Sequence, residues 1–477
     1  MFGWLCLGIE RCGRASSLRL QRVARYVPLW FVRQLSDVKL VRTLRYVWRH
    51  SPAQRQRWHE AGLRLADLRS PDVLPSIPFT TGSDIVERPE DYFCVPPEEL
   101  LYVTITSGTK GRPKRIYLTA DDLDRQTRMM GTHLLGFPGA SRAVSMFLVY
   151  EPSMTTGRIV RRAIEKAGMF GLLSSTHLPV SDQLELVRDY EIDVIASLPV
   201  YLHRVTVEAE EDLRSLGVKY IFLGGQPFSE ELREEIQSAW GAKVIDVYGS
   251  AESLCGIASE CVCQNGLHVT EVDYWLEVVD PDTGEVLPEG TEGEVVVTTL
   301  SSRGMPLVRY RTRDLARLLP REGRCACGLP LRKMSHVRGR VDDMLILGGA
   351  EHVYPDEFDR ALLSVPGVSD YQLVIEKDGY TDVLHVTVET KDSRADLRGS
   401  IVEVLLGIPG VRLSYESTRT LTIGEITAVP RGALAEGRRK SVHIIDRRSS
   451  PPLQPTTPVT GGRGAAGTSR GMGGSPG

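Results

Sequence analysis

The sequence predicts an α/β protein with a large N-terminal domain, built from parallel sheets with helices plus an antiparallel β subdomain, and a small mobile α+β C-terminal domain. Three observations carry that expectation. Between residues 193 and 252 the strand-like runs DVIASL, VKYIFLGG and AKVIDVYG alternate with helical stretches, as parallel strands joined by crossover helices do. After Cys263 the texture changes to short strands and tight turns in YWLEVVDPDTGEVL, GEVVVTTL and PLVRYRTRDLARLL, an antiparallel pattern. From residue 343 to 446, helical patterns flank the hairpin YQLVIEKDGYTDVLHVTVE in a unit of roughly 100 residues, long enough for its own core.

Composition suits this organisation. The 477 residues are 42% hydrophobic and 25% charged, with a formal net charge of −3. That gives no bulk attraction to nucleic acid or to an anionic membrane. No apolar run reaches the ~18 residues of a membrane span, so small molecules are the expected partners.

In chain order, residues 1–36 read as a poorly docked amphipathic lead-in and residues 37–341 as the N-terminal domain, with its β subdomain at about 264–335. RTLRYVWRHSPAQRQRWHEAGL is helical; the prolines of PDVLPSIPFTTGSDI then break any helix, and Ser83 is placed to cap the next. Beyond Glu99 come a strand, a loop, a short strand and a helix, where Thr119 and Asp122 have capping-box spacing. A helix from about Val200 to Ser215 and another begun by Ser229 separate the three strands between 193 and 252. Open α/β sheets bind ligands beyond the carboxyl ends of their strands, so the loops Gly224–Pro227 and Tyr248–Glu252 should face one crevice. Asp282–Gly284 suits a hairpin turn. GRVDD at 339–343 separates the β subdomain from the C-terminal lid, residues 342–446, and is the candidate hinge. The tail 447–477 has no acid and few large apolar residues, so it cannot offset its ordering entropy and is expected to be disordered.

Chemistry concentrates in loops. In YVTITSGTKGRPK a strand dissolves into Thr106, Ser107, Gly108, Thr109, Lys110, Gly111 and Lys114. Bare backbone amides, hydroxyls and cations at a strand end suit a phosphate. For this motif alone, a flexible surface loop is an equal reading.

Six loops in order, TITSGTKGRPK, GGQPFS, DVYGSAES, RYRTRD, RGRVDDMLILGG and GRRKSVHIID, resemble the adenylate-forming superfamily of acyl-CoA synthetases. SPAQRQRWHEAGL, PFTTGSDI, ASECVCQNGLHVTEVDYWLEVVDPDTGEVLPEG and CACG are similar to its phenylacetate–CoA ligase-like branch, and the likeness spans roughly residues 37–446. The resemblance implies ATP-dependent activation of a carboxylic acid, of aryl or arylacetic type, to an acyl-adenylate. Transfer to coenzyme A follows, with release of AMP and pyrophosphate. It places the β- and γ-phosphates on the 106–114 loop, Mg²⁺ on Glu252, adenine against Tyr248 near Gly225 and Gly249, the α-phosphate at Ser250, and the ribose at Asp314 with Arg340. Lys440 is the implied catalytic lysine, with Arg438 the competing assignment. The lid would turn about Asp342 and build a thiol tunnel near Gly348 and Gly349. Lys110 stands where the family usually has Thr, and MLILGGAEHVYP is one residue longer than the family form. Phe147, Tyr150 and the run to Gly157, with the loop around Gly225, Gln226 and Pro227, are candidates for lining the acid pocket. Transfer to an amine or a carrier-protein thiol, or a catalytically silent fold, are the other readings. A need for ATP and coenzyme A, with cysteines that do not suggest export, points to a cytoplasmic protein, and the resemblance implies a homodimer.

Of eight cysteines, five fall between Cys255 and Cys327. Soft thiolates with imidazole suit tetrahedral Zn²⁺, and Cys261, His268, Cys325 and Cys327 are the expected ligands of a structural site, with Cys263 a spare. Reduced cysteines without metal are the alternative, because the common zinc spacings are not met.

Overall fold

The computed structural model describes residues 26–105, 113–135, 144–149, 170–250, 256–321, 323–343, 345–348, 351–390, 397–434 and 443–448, together with Ile159, Arg161, Arg162, Ile164, Glu165, Glu252 and Ser253. It begins with two helices, α1 (Leu29–His50) and α2 (Pro52–Glu60). They divide at Ser51, whose Oγ accepts from Gln54 N, while Pro52 takes a first helical position where its missing N–H costs nothing. α1 starts inside the expected lead-in. Val32, Ser36, Leu40, Leu44 and Val47 repeat on one buried face, and Ser36 Oγ donates to Glu271 O at 2.8 Å. The segment is therefore docked from Val32 onward. α3 (Gly82–Glu87) is capped by Thr81, not Ser83. Thr81 exchanges hydrogen bonds with Asp84 in a capping box, whereas Val86, three residues after Ser83, could not reciprocate.

β1 (Tyr102–Ile105) and β2 (Arg115–Leu118) pair antiparallel, so the glycine-rich motif joins two arms of a hairpin. α4 (Ala120–Leu135) follows, with the expected box: Thr119 N donates to Asp122 Oδ2 and Asp122 N to Thr119 Oγ1. β3 (Val144–Val149), β4 (Phe170–Ser175), β5 (Val194–Ser197), β6 (Tyr220–Gly224) and β7 (Lys243–Tyr248) run parallel in the order β4-β3-β5-β6-β7. The helices α5 (Val180–Asp189), α6 (Pro199–Glu208) and α7 (Glu230–Trp240) cover this sheet, packing Leu184, Leu202, Ile236 and Trp240 against Ile195, Ile221, Leu223 and Val244. Each such side chain contributes about 1.5–3 kcal/mol on burial. α6 ends at Glu208, short of the expected Ser215, and Leu213–Leu216 forms a separate turn capped by Asp212. Glu208, Glu210, Glu211 and Asp212 would crowd the negative end of a longer helix.

β8 (Ala258–Ser259) and β9 (Leu267–Val269) extend the sheet antiparallel beyond β7. β10 (Tyr274–Val279), β11 (Glu292–Thr299) and β12 (Tyr310–Arg317) form the antiparallel subdomain, which β14 (Gly339–Arg340) completes. β13 (Lys333–Met334) leaves that sheet and pairs with β9.

The smaller C-terminal domain holds the hairpin β15 (Leu345–Leu347) and β16 (Glu351–Val353), helix α8 (Pro355–Leu363), the long hairpin β17 (Val368–Asp378) and β18 (Thr381–Thr390), helix α9 (Arg398–Leu406), β19 (Leu421–Pro430) and β20 (Ile444–Asp446). Its sheet has the order β19-β18-β17-β20. Phe358 and Leu362 from α8 and Ile401 and Leu405 from α9 meet Tyr371, Leu373, Leu384 and Val386 in a separate core. Of the expected tail, only Arg447 and Arg448 are among the described residues.

Candidate functional site

The candidate site lies where β6 and β7 end. A Cβ on Gly224 would stand 2.7 Å from Val247 O, so glycine permits the close approach of the two strands, and Gly225 continues with φ +82°. Tyr248 closes β7, and its hydroxyl donates to Asp314 Oδ2 at 2.7 Å. Arg340 Nε donates to the other oxygen, Asp314 Oδ1, at 3.0 Å, across the β12–β14 register. Burial pushes the Asp314 carboxyl above its usual range, and Arg340 and Tyr248 oppose that rise. Burial and the neighbouring Asp314 charge drive the Tyr248 phenol well up, so it stays a donor.

After Gly249, a tight turn presents Glu252. Ser250 N donates to Ser253 Oγ at 3.1 Å and Ser253 N to Ser250 Oγ at 3.2 Å. Glu252 Oε1 receives Lys114 Nζ at 2.5 Å and the Tyr310 hydroxyl at 2.9 Å, while Lys114 Nζ also donates to Tyr310 at 3.0 Å. Burial opposes ionisation of Glu252, but the Lys114 charge and the hydrogen bonds from Lys114 and Tyr310 together hold the carboxyl below its usual range. Tyr310 is the member that the sequence reading missed. The signal lay in RYRTRD, where Tyr310, Thr312 and Asp314 are buried and alternate with half-buried Arg311 and Arg313. Thus Lys114, Tyr248, Gly249, Ser250, Glu252, Asp314 and Arg340 line connected parts of one region. The expected Thr106, Ser107, Gly108, Thr109 and Gly111, the lysine Lys440 with Arg438, and Gly349 lie outside the described residues, as do Tyr150 and residues 151–157 of the acid pocket.

Asp342 sits in a short turn, Val341–Asp343, directly after β14. Arg313 donates to Asp342 Oδ1 through Nη2 at 2.8 Å and Nε at 3.1 Å, and through Nη1 to Glu294 at 3.1 Å. Glu294 is fully buried and also takes Arg311 Nε at 3.0 Å. Arg313 adopts φ +65°, a left-handed conformation that costs a side-chain-bearing residue about 1–2 kcal/mol, and these carboxylates hold it there. Gly348 turns with φ +60°, where a Cβ would stand 2.3 Å from Thr420 Oγ1, and its N–H donates to buried Asp382 at 2.8 Å.

The four expected soft ligands converge. The ligand atoms of Cys261, His268, Cys325 and Cys327 lie within 4.8 Å of one another. Cys261 Sγ is 3.8 Å from Cys325 Sγ, and Cys327 Sγ is 3.4 Å from His268 Nε2. Bonds of about 2.3 Å to sulfur and about 2.0 Å to nitrogen, at tetrahedral angles, separate ligands by about 3.5–3.8 Å, so the cluster fits Zn²⁺. Backbone N–H groups of Cys263 and Leu329 point at Cys261 Sγ and Cys327 Sγ, at 3.4 and 3.5 Å. His268 Nδ1 is buried with no hydrogen-bond partner among the described residues. The cluster brings the 325–327 loop against His268 of β9 and Cys261 just beyond β8.

Comparison with known proteins identifies the family and the fold. Residues 37–301 match the model of the AMP-binding enzymes and residues 350–448 that of the AMP-binding enzyme C-terminal domain. The chain is 30% identical to a phenylacetate-coenzyme A ligase of Pseudomonas putida over 87% of this chain and 94% of that one. It is 34% identical to the phenylacetate-coenzyme A ligase of Thermus thermophilus, over 77% of this chain and 83% of the relative. Among solved structures, 2-hydroxyisobutyryl-CoA ligase with its acyl-adenylate has the same fold, with a TM-score of 0.72 at 23% identity over 86% of this chain and 88% of that one. Among the described residues no helix is long and apolar enough to cross a membrane.

Proposed function

This chain belongs to the AMP-binding enzymes, and from that premise we propose that it joins an aryl or arylacetic acid to coenzyme A. The overall reaction is that of an AMP-forming acid–CoA ligase. In the first step a carboxylate oxygen bonds to the α-phosphorus of ATP, the bond from that phosphorus to the bridging oxygen breaks, and pyrophosphate leaves. In the second, the thiol sulfur of coenzyme A bonds to the acyl carbon, AMP leaves, and the thiol proton passes to solvent or buffer.

The observation that carries the reading is two neighbouring networks, Lys114 with Tyr310 and Glu252, and Tyr248 with Asp314 and Arg340, in which the Glu252 and Asp314 charges feel each other. Asp314 accepts from the ribose hydroxyls, with Arg340 steadying its second oxygen. Tyr248 lies against the adenine. Lys114 neutralises phosphate charge in a site where fixed donors need no reorganisation. Glu252, ionised and oxygen-bearing, is the donor that suits Mg²⁺, which when bound neutralises the phosphate oxygens. Thr106, Ser107, Gly108, Thr109 and Gly111 cradle the pyrophosphate portion, and Lys440 meets the charge developing on the reacting carboxylate and α-phosphate. Asp342 is the pivot of the small domain, and Zn²⁺ at the cysteine cluster is structural. The protein works in the cytoplasm, where both ATP and coenzyme A are supplied.

The substrate class rests on the named phenylacetate-coenzyme A ligases, to which the chain is similar over most of its length. Exchange of labelled pyrophosphate into ATP, over arylacetic, benzoic and aliphatic acids, tests it. Exchange restricted to the aromatic acids, with thioester formed once coenzyme A is added, is expected. Exchange with aliphatic acids alone would overturn the substrate class.

A further inference from the structure

Between β13 and the proposed pivot the chain runs as a strap over the large domain. Ser335 N donates to Arg317 O and Arg338 N to Leu315 O, both at 2.9 Å. His336 places Nδ1 2.7 Å from Asp246 Oδ2 and faces Glu260 Oε1 with Nε2 at 3.2 Å. Asp246 lies on β7 and Glu260 directly after β8. The strap is thus fixed to the sheet that carries Tyr248.

The Arg338 side chain reaches the other domain. Its Nη2 is 2.7 Å from Glu357 Oε1, its Nε is 3.8 Å from Asp356 Oδ1, and its guanidinium carbon lies 4.0 Å from the centre of the Tyr354 ring. All three partners stand at the start of α8, beyond Asp342 in the chain. Its Nη1 looks back to the large domain, 3.3 Å from Glu292 Oε1 on β11. A planar guanidinium that stacks on a ring and pairs with carboxylates on two sides is satisfied in one relative orientation. A turn about Asp342 that carried α8 away would break the three small-domain contacts together and leave Arg338 with Glu292.

The orientation seen here also has a recognisable face. Arg431 Nη1 donates to Val207 O, near the end of α6, at 3.3 Å. Arg431 directly follows β19, and buried Glu389 organises the turn there, accepting from Gly432 N at 3.0 Å and Leu434 N at 2.5 Å. The side of the small domain from which the chain departs toward Lys440 is therefore turned to the large domain.

We propose that Arg338 is a positioning residue for adenylation: it grips α8 in this orientation and must release it before the thioester forms. The inference rests on the two-step ligase reading. Arg338→Ala and Glu357→Gln are compared with the parent in separated half-reactions, acid-dependent pyrophosphate exchange and thioester formation from supplied acyl-adenylate and coenzyme A. Exchange is expected to fall about tenfold while thioester formation stays within about twofold or rises. Hydrogen exchange at the amides of 432–434, which Arg338 does not touch, quickens in both variants, and Arg338→Glu combined with Glu357→Arg regains part of the lost rate. Equal loss in both half-reactions, or no loss with unaltered amide exchange, overturns the proposal. A parent protein with neither half-reaction overturns the ligase reading instead, and the amide comparison still decides the grip.

Discussion

Stripping the proposed zinc from the Cys261–His268–Cys325–Cys327 cluster is a perturbation whose size follows from the chain. Cys261 and Cys325 are 64 residues apart, so a metal joining them closes a long loop. By the chain-entropy relation for cross-links, a loop of that length is worth about 4 kcal/mol. Unfolding a domain of about 300 residues carries an entropy near ~0.6 kcal/mol per kelvin, so the loss corresponds to about 7 °C in Tm. Thiols of the unfolded chain also take metal, which makes this an upper bound. Protein prepared without chelators should contain about one zinc per chain and lose about 3–7 °C of Tm on chelation. Cys327→Ser should hold less than about half the metal under the same preparation, because three ligands leave the tetrahedron incomplete. Folded protein with less than about a tenth of a zinc per chain, or with melting indifferent to chelation, would falsify the assignment.

Two further substitutions test the crevice and the strap. Tyr310→Phe deletes a hydroxyl that donates to an ionised carboxylate at 2.9 Å, a bond worth about 1.5–3 kcal/mol, so kcat/KM for ATP should drop at least about tenfold; an unchanged value would exclude Tyr310 from the site. Burial pulls the His336 imidazole down, but Asp246 and Glu260 raise it to about 9. Its stabilisation is complete below the ordinary value of about 6.5 and disappears as pH rises through that folded value. His336→Gln should therefore be less stable than the parent at about pH 6, by about 1 kcal/mol because the side chain is 43% exposed and screened. Chemical denaturation at intervals up to about pH 10 should show the gap closing; a constant gap would mean that His336 acts by packing and not by charge.

Much of this was legible in the sequence because it is written locally. The Thr119–Asp122 box and the Ser229 cap need only residues three apart. The strand–helix alternation of 193–252 follows from periodicity, and the four metal-site residues were chosen on ligand chemistry and met in space. What stayed hidden depends on partners far away in the chain. The docking of α1 needs Glu271, and the Tyr310 bond needs Glu252 and Lys114, brought together by three separate elements. Arg338 opens the motif RGRVDDMLILGG, and nothing in the sequence sets it apart from the other arginines there. Its role becomes visible only when β11 and α8 are seen to flank it. The two local misreadings have a different origin, in neighbouring residues: α6 stops early because of the acid run after Val207, and the Thr81 cap won because Asp84 completes it.

Arg313 has one more consequence, for how a moving domain keeps its place. With one hand on fully buried Glu294 and the other on Asp342, it joins the proposed pivot to the interior of the immobile sheet. Under the proposed two-step reading, motion of the small domain would then reduce from six degrees of freedom toward rotation about a stationary point, in the manner of a shaft in a bearing. Such a pivot would let two different surfaces be offered in turn to the adenylate of the proposed reaction without the domain searching for its position each time. Loosening that bearing should show less as lost stability than as lost registration between one chemical step and the next.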